Sequence, residues 1–279
     1  MSARSPTVLE RILAETREEV MRRKREAPLE ELSRDLSHGH ASGRESTLAG
    51  KRRFRAALEG PGIGVIAEFK RRSPSAGALR EDPDLRETVS AYERGGAVAL
   101  SVLTEGPNFD GSLEDLRAAR AACDLPILRK DFIVDPYQLH EARAAGADAV
   151  LLIVAALGSA ELKSLSALAR AMGLDVLVEV HAREELRCAL SQGADLVGIN
   201  NRDLRDFSVD MERTTQLMGE IPPSVTVVSE SGIATAEHLD RLRRAGVHAV
   251  LVGEALMRSP DPEVALRALQ TFDDSKARI

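Results

Sequence analysis

One kind of joint recurs along this chain and limits the architectures open to it. At "GGAVALSVLTE" from Gly95, "AGADAVLLIV" from Ala145, "QGADLVGINN" from Gln192 and "AGVHAVLVGEAL" from Ala245, a helix-like pattern stops at a glycine and an apolar, β-branched run begins within a few residues. Glycine adopts the left-handed conformation that ends a helix, so each site reads as a helix running into a strand. Filling the intervals predicts strands over 64–70, 97–105, 125–131, 149–154, 175–180, 196–201, 226–231 and 249–254, separated by helix-like segments such as "SLEDLRAARAA", "DPYQLHEARAA" and "TAEHLDRLRRA". Continuous apolar strands alternating with helices call for a parallel sheet covered on its outer face. Eight units at a spacing of about 25 residues fit a closed barrel of about 200 to 250 residues. The expected fold is therefore α/β, a single (β/α)8 TIM barrel spanning 1–279, with residues 1–50 as an N-terminal helical extension. An open doubly wound sheet is the alternative, weakened because no G-x-G-x-x-G follows the first strand.

The strands share a second property, which is that they end in polarity. In "VIAEFKRRSPSAG", Glu68 and Lys70 stand two residues apart and so point to the same face as Ile66. Glu105, Lys130, Asp131, Glu179, Asn200, Arg202, Glu230 and Ser231 close later strands in the same way. Burying unpaired charge in a packed core costs several kcal/mol per ion, roughly, so charges at one level of a barrel predict a polar mouth.

Simpler readings stand beside these. Glu68 with Lys70 is also explained as a structural ion pair, and Glu105 as a helix cap or loop brace. Asn200, Asn201 and Asp203 suit a turn, because Asn and Asp bond their own backbone. Cys123 and Cys188 fall on helix-like segments and read as packing residues, and His181 reads as bland despite lying next to the rim.

Two strand ends carry glycine, "SESGI" at Ser229–Ile233 and "LVGEAL" at Leu251–Leu256. They follow the seventh and eighth strands, where barrels of this type present backbone N–H groups and a short helix N-terminus to a phosphate. Gly232 and Gly253 let the backbone approach closely, and Arg72 and Ser73 in the loop after the first strand complete the ring of donors.

Bulk properties exclude several partners. With a net charge of -6 among 279 residues there is no electrostatic reason to expect nucleic acid. The two cysteines and six histidines show no metal-ligand spacing, which predicts a reduced, metal-free protein. The N-terminus scatters charge through its apolar positions, so it lacks a signal-peptide core, and no run is long enough for a bilayer. The expected location is cytoplasmic, with no membrane partner. Val8, Leu9, Ile12, Leu13 and Val20 instead give the N-terminal segment an amphipathic stripe.

Taken together, "IAEFKRRSPSAG", "LSVLTEGPNFDGS", "LPILRKDFIVDPYQ", "LVEVH", "GINNRDL" and "VSESGI" resemble the indole-3-glycerol-phosphate synthase family, from the N-terminal helix to nearly the last residue. The resemblance implies closure of the indole ring of 1-(2-carboxyphenylamino)-1-deoxyribulose 5-phosphate with loss of carbon dioxide and water, a cofactor-free step of tryptophan synthesis. By that resemblance Lys130 is the general acid at the ketone and Glu179 a general base. Lys70 pairs with the substrate carboxylate or assists proton transfer, and Glu68 and Asn200 hold those groups. Arg202, Glu230, Ser231 and Phe132 complete the substrate pocket, and Arg72, Ser73, Gly232, Gly253 and Glu254 form the phosphate end. The implied partner is a small phosphorylated anion, with room for other tryptophan-pathway enzymes. A phosphoribosylanthranilate isomerase would share the barrel but uses cysteine and aspartate where this chain has Glu68/Lys70 and Glu179. A non-catalytic barrel subunit would show gaps among the rim charges. Crowded ammonium groups should bring Lys130 toward a useful acid strength, with Glu68 and Glu179 opposing that shift.

Overall fold

The computed structural model describes residues 6–30, 32, 53–203 and 207–271. Eight parallel strands close on themselves: β1 (Gly64–Phe69), β2 (Ala99–Leu103), β3 (Ile127–Lys130), β4 (Ala149–Ile153), β5 (Asp175–Val180), β6 (Leu196–Asn200), β7 (Thr226–Glu230) and β8 (Ala249–Val252). Each pairs with its chain neighbour, and β8 closes onto β1 through Gly64 opposite Ala249 and Ala67 opposite Val252. All eight expected strands are present, each beginning or ending within about three residues of its expected bounds.

The repeated joint explains why the strands start where they do. Gly96, Gly146, Gly193 and Gly246 have φ of 91°, 92°, 76° and 84°. In each case the next residue's N–H bonds back to a carbonyl five residues earlier: Ala97 to Tyr92, Ala147 to Ala142, Ala194 to Ala189 and Val247 to Leu242, at 3.0–3.1 Å. That closure ends a helix and aims the chain into the sheet. Gly173 makes a fifth copy, with Leu174 bonding Ala169 at 2.9 Å.

Strand alternation then divides the core. Val65, Ala67, Phe69, Val102, Val150 and Val178 face the surrounding helices, and Ile66, Leu128, Leu151, Leu177 and Val228 fill the barrel. Both faces are buried, hence the unbroken apolar runs. The outer layer comprises α3 (Leu85–Arg94), α4 (Leu113–Ala122), α5 (Pro136–Ala144), α6 (Ser159–Ala171), α7 (Arg183–Ser191), α8 (Glu212–Met218), α9 (Ala236–Arg244), α10 (Glu254–Arg258) and α11 (Pro262–Leu269).

Helical segments precede the barrel. α2 (Arg53–Leu58) plugs its lower end with the fully buried Phe54, and its Arg55 bonds Asp195 and Thr226 where β6 and β7 begin, each at 3.0 Å. α1 (Val8–Glu26) starts with a capping box between Thr7 and Glu10 and buries Ile12, Leu13 and Val20. It lies beside the loops that follow β2 and β3: Arg23 pairs with Glu141 at 2.7 Å, Lys24 with Asp135 at 2.7 Å, and the Tyr137 hydroxyl donates to the Ala27 carbonyl at 2.7 Å. Residues 33–52, which include the end of the expected N-terminal extension, lie outside the described residues. Among the described residues no helix is long and apolar enough to cross a membrane.

Candidate active site

A cavity of about 380 Å³ opens at the C-terminal end of the barrel. The inward-facing residues that end the odd-numbered strands form its floor: Glu68 on β1, Lys130 on β3, Glu179 on β5 and Glu230 on β7. Strand register puts them at one level, with Leu103 beside Lys130, Ile153 beside Glu179 and Asn200 beside Glu230. Barrel interiors are built from such four-residue layers, normally of branched apolar side chains. Here one layer is three carboxylates and an ammonium.

The three glutamates are buried, so the arrangement holds only if charges compensate. Lys130 Nζ lies 3.2 Å from Glu230 Oε2 and 3.5 Å from Glu179 Oε2. Lys70 Nζ lies 2.7 Å from Glu68 Oε1. Asn200 Nδ2 donates to Glu179 Oε1 at 3.2 Å, and His181 Nε2 lies 3.2 Å from the same oxygen. Burial alone would lower the proton affinity of Lys130, yet Glu230, Glu179 and Glu68 outweigh it and hold the ammonium well above the usual lysine range. Of the two opposing effects weighed from the sequence, the carboxylates prevail: they surround Lys130, and Lys70 is tied to Glu68. Burial also pushes Glu179 and Glu68 up, but Lys130 and His181 hold the first below the usual carboxylate range, and Lys70 and Lys130 do so for the second. Glu230 goes the other way, raised by burial and by Glu179 and Glu68 against the pull of Lys130.

One wall of the cavity is apolar. Phe109 and Phe132 stand with ring centroids 6.3 Å apart, beside Leu103, Leu151 and Ile153. α1 supports this wall from behind, since Ile12 and Leu13 belong to the same apolar cluster as Phe132 and Ile153. No α1 residue lines the cavity itself. Strand β3 is held from outside by the buried Arg129, which bonds Asp131 at 2.8 Å and Thr104 at 3.0 Å and lies 3.3 Å from Glu141, the partner of Arg23.

The opposite wall is built from Ser73, Ser231, Gly232, Gly253 and Glu254, with Arg202 and Arg258 at its edge. Ser231 and Gly232 have φ of 67° and 81°, a sharp turn that leaves the chain pressed against the next loop. A Cβ on Gly232 would meet Met211 Sδ at 2.4 Å. Arg202 Nη1 donates to the Phe207 carbonyl at 3.1 Å, and Glu254 sits between Arg202 at 4.0 Å and Arg258 at 3.2 Å.

Every residue given a role by the family resemblance lines this cavity except Arg72, whose side chain is exposed on a two-residue ribbon with Ala78 while Ser73 turns inward, and Glu105, expected at the polar mouth, does not line it. The simpler readings hold in part. Glu105 braces its loop by accepting from the Asn108 and Phe109 N–H groups at 2.8 and 3.0 Å. Asn200 accepts from the nearby Arg202 N–H at 3.0 Å, as a turn-shaping residue does, and the Asp203 carbonyl accepts from the Phe207 N–H at 2.8 Å, whereas Asn201 ties β6 to Ser229 at 3.2 Å. His181, read as bland, instead touches Glu179. Phe109, Phe207 and Arg258 were not anticipated, because neither aromatic sits on a periodic element and Arg258 reads as the surface partner of Glu254 four residues earlier.

Comparison with known proteins agrees with this geometry. A structure of thiamine phosphate pyrophosphorylase from Pyrococcus furiosus has a TM-score of 0.57 at 20% identity, covering 77% of this chain and 95% of that one. A mutant tryptophan synthase alpha-subunit from a hyperthermophile, Pyrococcus furiosus, has 0.57 at 16%, covering 75% and 98%. At those identities the likeness is one of fold. Sequence relatives are much nearer: indole-3-glycerol phosphate synthase 2 of Streptomyces coelicolor is 53% identical over 78% of this chain and 84% of its own. Indole-3-glycerol phosphate synthase of Variovorax paradoxus is 46% identical over 95% and 99%. With the family profile described as indole-3-glycerol phosphate synthase matching residues 9–269, this chain belongs to the indole-3-glycerol phosphate synthase family.

Proposed function

We propose that the protein converts 1-(2-carboxyphenylamino)-1-deoxyribulose 5-phosphate to indole-3-glycerol phosphate, carbon dioxide and water. The observation that carries this reading is the Lys130 ammonium on the cavity floor, with an aromatic wall on one side and a glycine-rich turn on the other. The substrate has the matching parts, a carboxylated ring, a central ketone and a terminal phosphate. Phe132 and Phe109 suit the ring, and Lys70 its carboxylate. Ser73, Gly232 and Gly253 suit the phosphate through backbone N–H groups, with Glu254 starting the short helix beside them and Ser231 and Arg202 completing the pocket.

In this reading the aromatic carbon that bears the carboxylate attacks the ketone, and Lys130 delivers its proton to the ketone oxygen as negative charge develops there. The ring then loses carbon dioxide. Departure of the resulting hydroxyl as water needs one proton donated to the oxygen and one removed from the new ring. Glu179, buried and oriented by Asn200, is the base assigned to that removal. Glu68 keeps Lys70 in place, and Glu230 balances Lys130. A cytoplasmic location and a small anionic substrate, handed on among tryptophan-pathway enzymes, go with this reading.

The test is direct. Purified protein given the carboxyphenylamino substrate should generate indole fluorescence, and the Lys130→Met variant should do so at least about a hundredfold more slowly. A folded wild-type protein that leaves the substrate unchanged sinks the proposal.

A further inference from the structure

Of the carboxylates around Lys130, Glu230 is held in an unusual way. Glu68 has Lys70 at 2.7 Å, and Glu179 accepts from Asn200 at 3.2 Å. Neither Glu230 oxygen accepts an aligned hydrogen bond among the described residues, although the side chain is buried and Lys130 Nζ is 3.2 Å away. Its position is therefore set by the ion pair with Lys130 and by shape. The shape is supplied by β6, where an inward-facing position of the layer directly below is Gly198, paired with Glu179 on one side and Val228 on the other. A Cβ there would lie 2.2 Å from Glu230 Oε1 and 3.3 Å from Leu177 Cδ1.

The geometry points to Gly198 as a positioning residue of this site: its missing side chain is the seat of the Glu230 carboxylate, and that seat fixes the carboxylate beneath the Lys130 ammonium. The inference rests on the reaction proposed above, because it concerns the floor on which that chemistry runs. Gly198 is not among the glycines with positive φ, so backbone freedom is no reason for glycine at this position. The required feature is empty space inside a barrel layer that alanine would fill. Ordinary contact begins near 3.4 Å, so an added methyl group forces the oxygen back by about 1 Å. The atom that must yield is the end of a flexible side chain, so the carboxylate moves and the barrel stays. A carboxylate displaced from the ammonium changes both the proton affinity of Lys130 and its direction of approach.

The test is a double-mutant cycle between Gly198→Ala and Glu230→Ala. In the wild-type background Gly198→Ala should lower kcat by about tenfold to a hundredfold, the scale expected of a misplacement of about 1 Å, and leave KM within about threefold. In the Glu230→Ala background the same substitution should change kcat by less than about twofold, because the atom it displaces is gone. An equal loss in both backgrounds, or no loss in either, overturns the inference. If Gly198→Ala alone fails to fold, the double variant should fold; a double variant that also fails to fold counts against the seat. A crystal structure of Gly198→Ala reads the carboxylate position whatever the reaction, and an unmoved Glu230 overturns the inference even if indole is formed. A wild-type protein that forms no indole removes the reaction proposal and leaves the seat to be judged by that crystal structure.

Discussion

Lys130 at the end of β3 and Glu230 at the end of β7 come from opposite walls of the barrel and meet over its centre, Nζ to Oε2 at 3.2 Å. A contact across the full width of the mouth makes Lys130 the shared counter-ion of the floor. Removing it affects both chemistry and fold. Lys130→Met should lower kcat by about 10²–10⁴ with substrate still bound. It should also leave three buried glutamates without their central cation, raising their proton affinity. A carboxyl whose folded-state pKa exceeds its unfolded value contributes stability at low pH and loses it as pH rises. Melting temperatures from pH 5 to pH 8 should therefore drop further for Lys130→Met than for wild type. Parallel curves would show that the ammonium carries no such load.

His181 gives a pH dependence of opposite origin. Burial alone would lower its pKa, but Glu179 and Glu185, each 3.2 Å from a ring nitrogen, raise it to about 10. The stabilisation from a raised histidine pKa is complete below the unfolded value of about 6.5 and is lost as pH rises through about 10. Wild type should lose several degrees of melting temperature across that interval, and His181→Gln should flatten this part of the curve. Identical slopes for the two proteins would mean that the imidazole is neutral in the fold.

The α1 helix buries Ile12, Leu13 and Val20 and ties Arg23 to Glu141, which lies behind the strand carrying Lys130. Losing it uncovers the back of the Phe132 wall while leaving the barrel ladders intact. A chain lacking residues 1 to 45 should keep the far-ultraviolet circular dichroism of a folded barrel, less the contribution of α1, and raise KM by about tenfold. An unchanged KM and kcat in a folded truncation would separate the helix from the site.

Much of this was legible in the sequence because the relevant signals are local. A glycine that ends a helix precedes each of four strands at a fixed offset, and period-two alternation alone aligns Ile66 with Glu68. What stayed hidden depends on closure of the barrel. Nothing local says that Lys130 reaches across to Glu230, so the contest between neighbouring cations and carboxylates is open in the sequence and falls to the carboxylates in the fold. Arg72 looked like a donor because it adjoins Ser73, yet neighbours on a ribbon face opposite ways, and Ser73 is the one turned inward. His181 continues the inward alternation of Leu177 and Glu179 one step past the end of β5, a signal present in the sequence but easily read as loop.

The turn at Ser231 and Gly232 and the start of α10 at Glu254 should hold a phosphate without any substrate ring. Crystals soaked in sulfate or phosphate should show an anion near Ser73, Gly232 and Gly253, contacted mainly by backbone N–H groups. Arg72→Ala should leave that binding within about twofold, since its side chain points away from the cavity. An anion found only beside Lys70 would reverse the assignment of the two ends.

Glu179 permits the sharpest separation of chemical steps. Its Oε1 is fixed by Asn200 and flanked by His181, and Oε2 points toward Lys130 at 3.5 Å. Glutamine has nearly the same shape but cannot take up a proton as a carboxylate does. Ring closure and decarboxylation draw chiefly on the proton from Lys130, so they should survive Glu179→Gln with modest slowing. Removal of the ring proton should then become the slow step, lowering steady-state kcat by about 10²–10³. In a single turnover, a species equal to the product plus one water should accumulate before indole fluorescence rises, visible by rapid quench and mass spectrometry. Accumulation of unreacted substrate alone would mean that Glu179 acts before or during ring closure, and would shift the later proton transfer to Lys70 and Glu68, which are already paired at 2.7 Å within the same cavity.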